Sequence, residues 1–300
     1  MGTMTLGSNA ARAIEAIQVV PEGIRRRIGI TSVCFRERFK QTAAKGATQI
    51  DLDLLKFPQF VAENLGLTNV EVWNQQFDDL SLGYAERLRA AAEKAGARII
   101  NIQLDGKYDL SAPQKAQRDQ SIAHVKQWME RAKAAGAPTM RANTGPGTQG
   151  AAFDLNVIAD SFKQLAEYGR TIGVKILVEN HIGFSADIDK VVAIVKAVND
   201  PYCRALSDWG NSPAKTDAQR AADMSKMFPC LELVSAKELE FDQNNRHISY
   251  DIVPLIKATE SSGYKGIYSI EFYSFVTPPR DPLAAAKDML ATLAANIKPA

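Results

Sequence analysis

Short runs of apolar and β-branched residues alternate along the chain with longer segments in which apolar positions recur every three or four residues. The runs "RIGITSVCF" (27–35), "NVEVWN" (69–74), "ARIINIQLD" (97–105) and "APTMRAN" (137–143) read as strands. So do "VKILVE" (174–179), "CRALSDWGN" (203–211, passing into a loop), "LELVSAKE" (231–238) and "GIYSIEFY" (266–273). Between them, helical spacing covers 52–66, 81–96, 111–136, 156–173, 187–200, 217–228 and 250–263, and a closing helix covers 281–297. Ser81 and Ser111 stand where N-caps belong, Pro113 in a first turn, and Gly66, Gly96 and Gly136 just past helix ends.

Strands that read as continuous apolar runs, each followed by a helical crossover, indicate a parallel sheet buried on both faces. Eight such units in about 270 residues predict a (β/α)8 TIM barrel over residues 27–300 in preference to a doubly wound sheet. Residues 1–26 are expected to form a surface extension with a short helix at "SNAARAIEAI".

Composition narrows the partners. The chain has 300 residues, 46% hydrophobic and 23% charged, with a formal net charge of +2. Its charges are scattered, so neither nucleic acid nor an anionic membrane surface is an expected partner. No apolar run approaches the roughly 18 residues of a membrane span. Cys34, Cys203 and Cys230 are few and widely spaced; they read as buried thiols in or beside strands and favour a reducing compartment. The first 27 residues lack the apolar segment of a secretory signal, so the expected location is cytoplasmic, with a removed leader as the alternative.

In a barrel of this kind, chemistry gathers where strands end. Strand five ends in Glu179-Asn180-His181 and strand six in Ser207-Asp208-Trp209-Gly210-Asn211. Strand seven carries Ser235-Ala236-Lys237-Glu238, and strand eight ends in Glu271. Carboxylates converging on one mouth repel unless a cation lies among them, and a divalent metal is the simplest such cation. The competing reading pairs the same carboxylates with Lys237 and Arg141. Oxygen donors favour Mg or Mn, whereas a set that includes an imidazole also admits Co, Fe or Zn.

The segments "ILVENHIGFSADID", "SDWGN", "VSAKELEFD" and "GIYSIEF", in this order and spacing, resemble the sugar phosphate isomerase/epimerase superfamily. These are the xylose-isomerase-like barrels that also include endonuclease IV. "IGITSVCF" and "NVEVWN" match its first strands more loosely. The resemblance implies a divalent metal, manganese first with Mg, Co or Zn as alternatives, held by Glu179, Asp208 and Glu271. Many members carry His-x-Lys on strand seven where this chain has Ser235-Ala236-Lys237. That leaves the fourth ligand open among Ser235, His181, Gln103 and water. The resemblance also implies a possible homo-oligomer or partner subunit, for which the N-terminal extension is the candidate surface.

The expected substrate is a small sugar or keto-sugar. Glu179, Glu271, His181 and Lys237 are the candidate catalytic residues, two carboxylates and an imidazole moving protons and an ammonium facing an enediolate oxygen. Trp73, Gln103, Arg141, Trp209, Asn211 and His247 are candidate substrate contacts, the two tryptophans as platforms for a sugar's apolar face. His124, four residues before Trp128, reads as a packing residue. The Gly-rich "NTGPGTQG" is a weak candidate for a phosphate cradle, lacking a P-loop lysine. The function expected is a metal-dependent isomerase or epimerase. A lyase opening 3-keto-glycosides, C-glycosides included, is the runner-up; a non-catalytic sugar-binding barrel or a multi-metal nuclease is less favoured.

Overall fold

The computed structural model describes residues 20–273 and 276–299. Its strands are β1 (Ile28–Thr31), β2 (Asn69–Trp73), β3 (Arg98–Gln103), β4 (Thr139–Ala142), β5 (Lys175–Glu179), β6 (Cys203–Asp208), β7 (Leu231–Glu238) and β8 (Ile267–Phe272). All pair in parallel in sequence order, and β8 returns to β1, closing the barrel. The crossover helices are α1 (Phe57–Leu65), α2 (Leu82–Lys94), α3 (Lys115–Ala134), α4 (Leu155–Ile172), α5 (Ile188–Val198), α6 (Asp217–Ser225), α7 (Val253–Ser261) and α8 (Pro282–Asn296). The (β/α)8 architecture expected from the alternation is therefore present.

Strand alternation explains the layers. On β5, Leu177 joins Ile100, Leu206 and Leu233 in an apolar cluster inside the barrel, whereas Ile176 and Val178 belong to the larger core beneath the helices. Above the inner cluster the lumen turns polar, with Glu71, Asn101, Ser269, Gln103 and Ser235 all buried. At the opposite, N-terminal end, Arg27 staples the first strand to the last elements. Its guanidinium pairs with Glu260 of α7 at 2.8 Å and donates to the carbonyls of Tyr264, Gly266 and Lys298.

Three boundaries depart from the sequence reading. Strand one stops at Thr31, because the chain turns into a 3-10 segment (Ser32–Arg38) that Thr31 caps, so Cys34 lies in that turn and not in a strand. The first helix begins at Phe57; residues before it are tied by a Phe39–Leu52 bridge. Ser111 does not cap α3, because its hydroxyl donates to Asp109 at 2.6 Å, and the helix starts beyond Pro113 at Lys115. Ser81 caps α2 as expected, and all three cysteines are free and buried. Glu22–Arg25 forms one helical turn, and the helix expected at 8–17 lies outside the described residues. No helix among the described residues is long and apolar enough to cross a membrane.

Candidate active site

The strand ends are built by local hydrogen bonding. Asn180, the residue after β5, accepts the Asp208 N–H and donates to the Asp208 carbonyl, both at 2.8 Å. Its side chain thus continues the β5–β6 ladder one step past the strand, which explains a buried amide at that position. Asp208 then organises the next turn. Its Oδ1 accepts from the N–H groups of Gly210 (2.8 Å) and Asn211 (3.1 Å), and its Oδ2 accepts from Asn211 Nδ2 (2.8 Å) and Lys237 Nζ (3.0 Å).

Lys237 of β7 reaches Asp208 on one side and Glu271 Oε1, at 2.9 Å, on the other. Glu271 Oε2 accepts from Gln103 Nε2 at 2.8 Å and from the Ser235 hydroxyl at 3.0 Å. Thr31 donates in turn to Gln103, which fixes that amide's orientation. Across the mouth, Arg141 of β4 donates to Asp105 at 2.6 Å and lies with Nε 3.0 Å from Glu179 Oε2. The Nε–H is not aimed at that oxygen, so both atoms stay without a hydrogen bond despite the ion pair. His181 Nδ1 is likewise buried and unpartnered.

These contacts separate the protonation states. Burial opposes the charge of Glu271, but Lys237 and the Gln103 amide hold its carboxyl below the usual range. Burial pushes Glu179 up to about 7, against the pull of Arg141. Burial, reinforced by Arg141 and Lys237, pushes His181 down to about 4, leaving a neutral imidazole at neutral pH. Lys237 stays an ammonium: burial disfavours its charge, but Asp208, Glu271 and Glu179 outweigh that and raise it.

The mouth opens on a cavity of about 410 Å3, within the range of small-molecule sites. Trp73, Arg141, His181, Asn211, Lys237 and Glu271, six of the expected residues, line it. Asp105 joins them, holding the Trp73 indole N–H at 2.8 Å. Asp105 and Glu71 were not among the expected residues. Asp105 ends the run "NIQLD" as Asp208 ends its own, so the same strand-end rule would have found it. Glu71 sits inside β2, where the lumen hides it from any such rule. A larger hollow, about 600 Å3, lies between the loops after β3 and β4, lined by Lys107, Tyr108, Gln117, His124 and Thr148. Of the expected candidates the Gly-rich loop reaches it, through Pro146, Gly147 and Thr148.

Several expectations are corrected. Trp209 is fully buried against Tyr268 in the core outside the lumen, because the Asp208 turn directs it away from the mouth. His247 does not reach the cavity: its ring packs between Phe241 and Tyr250 and its Nδ1 accepts the Leu239 N–H. Gln103 lies beneath Glu271 and positions it. His124, expected to be a packing residue, stacks on Tyr108. The Gly-rich loop is wedged between its neighbours, with Gly145 against Asp109 and Gly183 against Gly145.

The donor set does not fit the expected metal centre. Each oxygen of Asp208 already accepts two hydrogen bonds, and both oxygens of Glu271 have donors. Ser235 supplies a neutral hydroxyl that is itself donated to Glu271. Glu179 Oε2 and His181 Nδ1 are buried without a hydrogen-bond partner, but among the described residues no group of three or more His, Cys, Asp or Glu side chains is disposed to hold an ion.

A closed parallel barrel whose cavity, lined by charged and aromatic side chains, sits at the carboxyl ends of its strands defines a (β/α)8 protein of the kind that hosts enzymes. The chain belongs to the xylose isomerase-like TIM barrel family, whose model matches residues 60–293. Among solved structures it is similar to the 3-keto-D-glucoside 4-epimerase of E. coli, at 14% identity and TM-score 0.67 over 90% of this chain and 99% of that one. It is similar to a xylose isomerase-like TIM barrel protein from Mycobacterium smegmatis in complex with magnesium, at 16% and 0.65 over 93% and 100%. A third is the D-psicose 3-epimerase of Clostridium cellulolyticum H10 with D-tagatose, at 15% and 0.63 over 90% and 96%. No curated protein sequence matches the chain. At these identities the likeness shows the fold alone.

Proposed function

We propose that the protein is a sugar isomerase or epimerase that moves a proton on a carbon next to a carbonyl, in a ketose or keto-glycoside. The observation that carries this reading is the pair Glu179 and Glu271, buried at the ends of β5 and β8 in environments that drive their protonation apart, with Glu271 lining the cavity. Two carboxyls so divided are the usual arrangement of an acid and a base. Ionised Glu271 takes the proton from the C–H, the electron pair of that bond forms a carbon–carbon double bond, and the carbonyl π pair moves onto its oxygen as an enediolate forms. Glu179, which keeps its proton up to about pH 7, returns one to carbon. Delivery to the neighbouring carbon, with the hydroxyl proton passing from one enediolate oxygen to the other, isomerises; delivery to the opposite face of the same carbon epimerises. Proton exchange with solvent then resets the two acids. The Trp73 ring, held by Asp105, lies against the bound sugar, and the unpartnered His181 Nδ1 accepts from one of its hydroxyls. The family membership and the two epimerases among the structural relatives support this class of reaction.

The test is incubation of the protein with D-psicose, D-tagatose, D-fructose and 3-keto-glucosides in D2O, followed by NMR. The expected result is exchange of one carbon-bound hydrogen for deuterium together with a new sugar. No exchange in any of these substrates overturns the proposal. Release of an aglycone from the keto-glycosides would assign the site to the lyase reading instead.

A further inference from the structure

We propose that the positive charge among the strand-end carboxylates is supplied by this chain's own Lys237 and Arg141, so that the centre works without a resident divalent metal and presents an ammonium and a guanidinium to the substrate's oxyanion. This rests on the proton-transfer reading above for its chemistry, but the argument for it is geometric. Lys237 Nζ lies 3.0 Å from Asp208 Oδ2 and 2.9 Å from Glu271 Oε1, bridging β6 and β8 from the strand between them. The pairings Asp208–Ser235 and Lys237–Glu271 in the sheet put these side chains side by side by register, so the bridge is set by the ladder.

The lysine stem is also enclosed. A Cβ at Gly210 would fall 2.8 Å from Lys237 Cδ and 2.9 Å from Cγ, closer than real Cβ contacts. Glycine at 210 therefore makes room for this side chain to lie under the Asp208 turn. The same Gly210 donates its N–H to Asp208, so one turn holds both the acid and the lysine stem. Tyr250 adds a hydrogen bond to the Lys237 carbonyl from the loop after β7. An ammonium held by two carboxylates, with its stem packed under a glycine, is a component of the site and not a surface charge that has folded inward.

Ser235 bears on the same point. A hydroxyl donor at this position secures Glu271, and it offers an incoming cation no anionic or imidazole ligand. Arg141 plays the corresponding part on the other side, its charge set between Asp105 and Glu179 with Nε still free to donate. Both cations line the cavity, where an enediolate oxygen would meet them.

The experiment uses the whole purified protein and reads metal directly. Elemental analysis of protein purified without chelator is expected to find far less than one divalent ion per chain. Thermal melts with Mn2+, Mg2+, Co2+ or Zn2+, and with EDTA, are expected to coincide. A resident metal at a hundred times its Kd would raise Tm by on the order of 5 °C. Stoichiometric metal, or a shift of that size in the wild-type protein, overturns the proposal. Lys237→Met frees Asp208 and Glu271 together and is expected to create a metal-dependent Tm shift absent from the wild type; absence of that gain in a folded variant also counts against it. Deuterium exchange unaffected by EDTA is the functional counterpart. Loss of exchange under all conditions would sink the proton-transfer reading while leaving the metal result standing on its own.

Discussion

Glu71 shows what one buried side chain does at the residue scale. Its oxygens accept from Asn101 and Ser269, both at 2.6 Å, and it has no cation of its own. Burial, and after it the charge of Glu271, pushes its carboxyl up to about 7. A native value above the unfolded one means the folded chain holds this proton more tightly. The contribution to stability is therefore greatest below about pH 4.5 and is lost as pH rises through 7. Glu71→Gln carries no such loss. Relative to wild type it is expected to gain stability between pH 5 and pH 8, by at most about 3 kcal/mol, as measured by urea denaturation at both pH values. Glu271→Gln tests the catalytic reading at the same scale. It keeps the shape and the Gln103 and Ser235 neighbours but removes the base, so deuterium exchange should fall by roughly 100-fold or more while the melting curve stays cooperative.

At the scale of elements, the loops after β3, β4 and β5 form one wedged unit beside the mouth. Gly145 has φ +90°, and a Cβ there would lie 2.6 Å from Asp109 Cα; Gly183 has φ +59°, and a Cβ there would lie 2.1 Å from the Gly145 carbonyl oxygen. Two backbones meet with nothing but hydrogens between them. Gly183→Ala should therefore lower stability by about 2 kcal/mol or more, since steric overlap and a left-handed backbone act together. Activity should fall with it, because the displaced loop carries His181. "NTGPGTQG" was legible as a special loop but not as this one: the glycines meet other loops, which are distant in sequence. The Ser111 cap was misread for a local reason: its hydroxyl is taken by Asp109, two residues earlier.

For the molecule as a whole, the two ends of the barrel divide the work. The C-terminal mouth holds the cavity, whereas the N-terminal end holds the Arg27–Glu260 pair, both side chains almost fully enclosed. Removing one partner leaves the other charge buried. Arg27→Met is expected to cost about 3–5 kcal/mol of stability with the turnover of the folded fraction unchanged, as read by denaturant melts alongside exchange rates. Glu271→Gln should show the opposite profile, low turnover with a smaller loss of stability, because Asp208 still pairs with Lys237. That contrast follows from the general rule that conserved function sits at one face of such barrels and stability at the other.

The alternation of strand and helix, the closed barrel and the crowding of Glu179, Asp208, Lys237 and Glu271 at strand ends could all be read from the chain, because hydrophobic period and position within a βα unit are local properties. The sequence also held both readings of those carboxylates, a shared metal as the favoured one and basic partners as its competitor. The tertiary structure adds the contacts on which the proposal of built-in cations rests, since the register of β6, β7 and β8 is what sets Lys237 between Asp208 and Glu271, and Arg141 reaches Glu179 only across neighbouring strands. Trp209 was misplaced because a turn of one residue decides whether a ring faces lumen or core, and His247 because its loop folds back on Phe241 and Tyr250. Distances of a few ångströms between residues far apart in the chain decide which charges meet, and only the folded barrel supplies them.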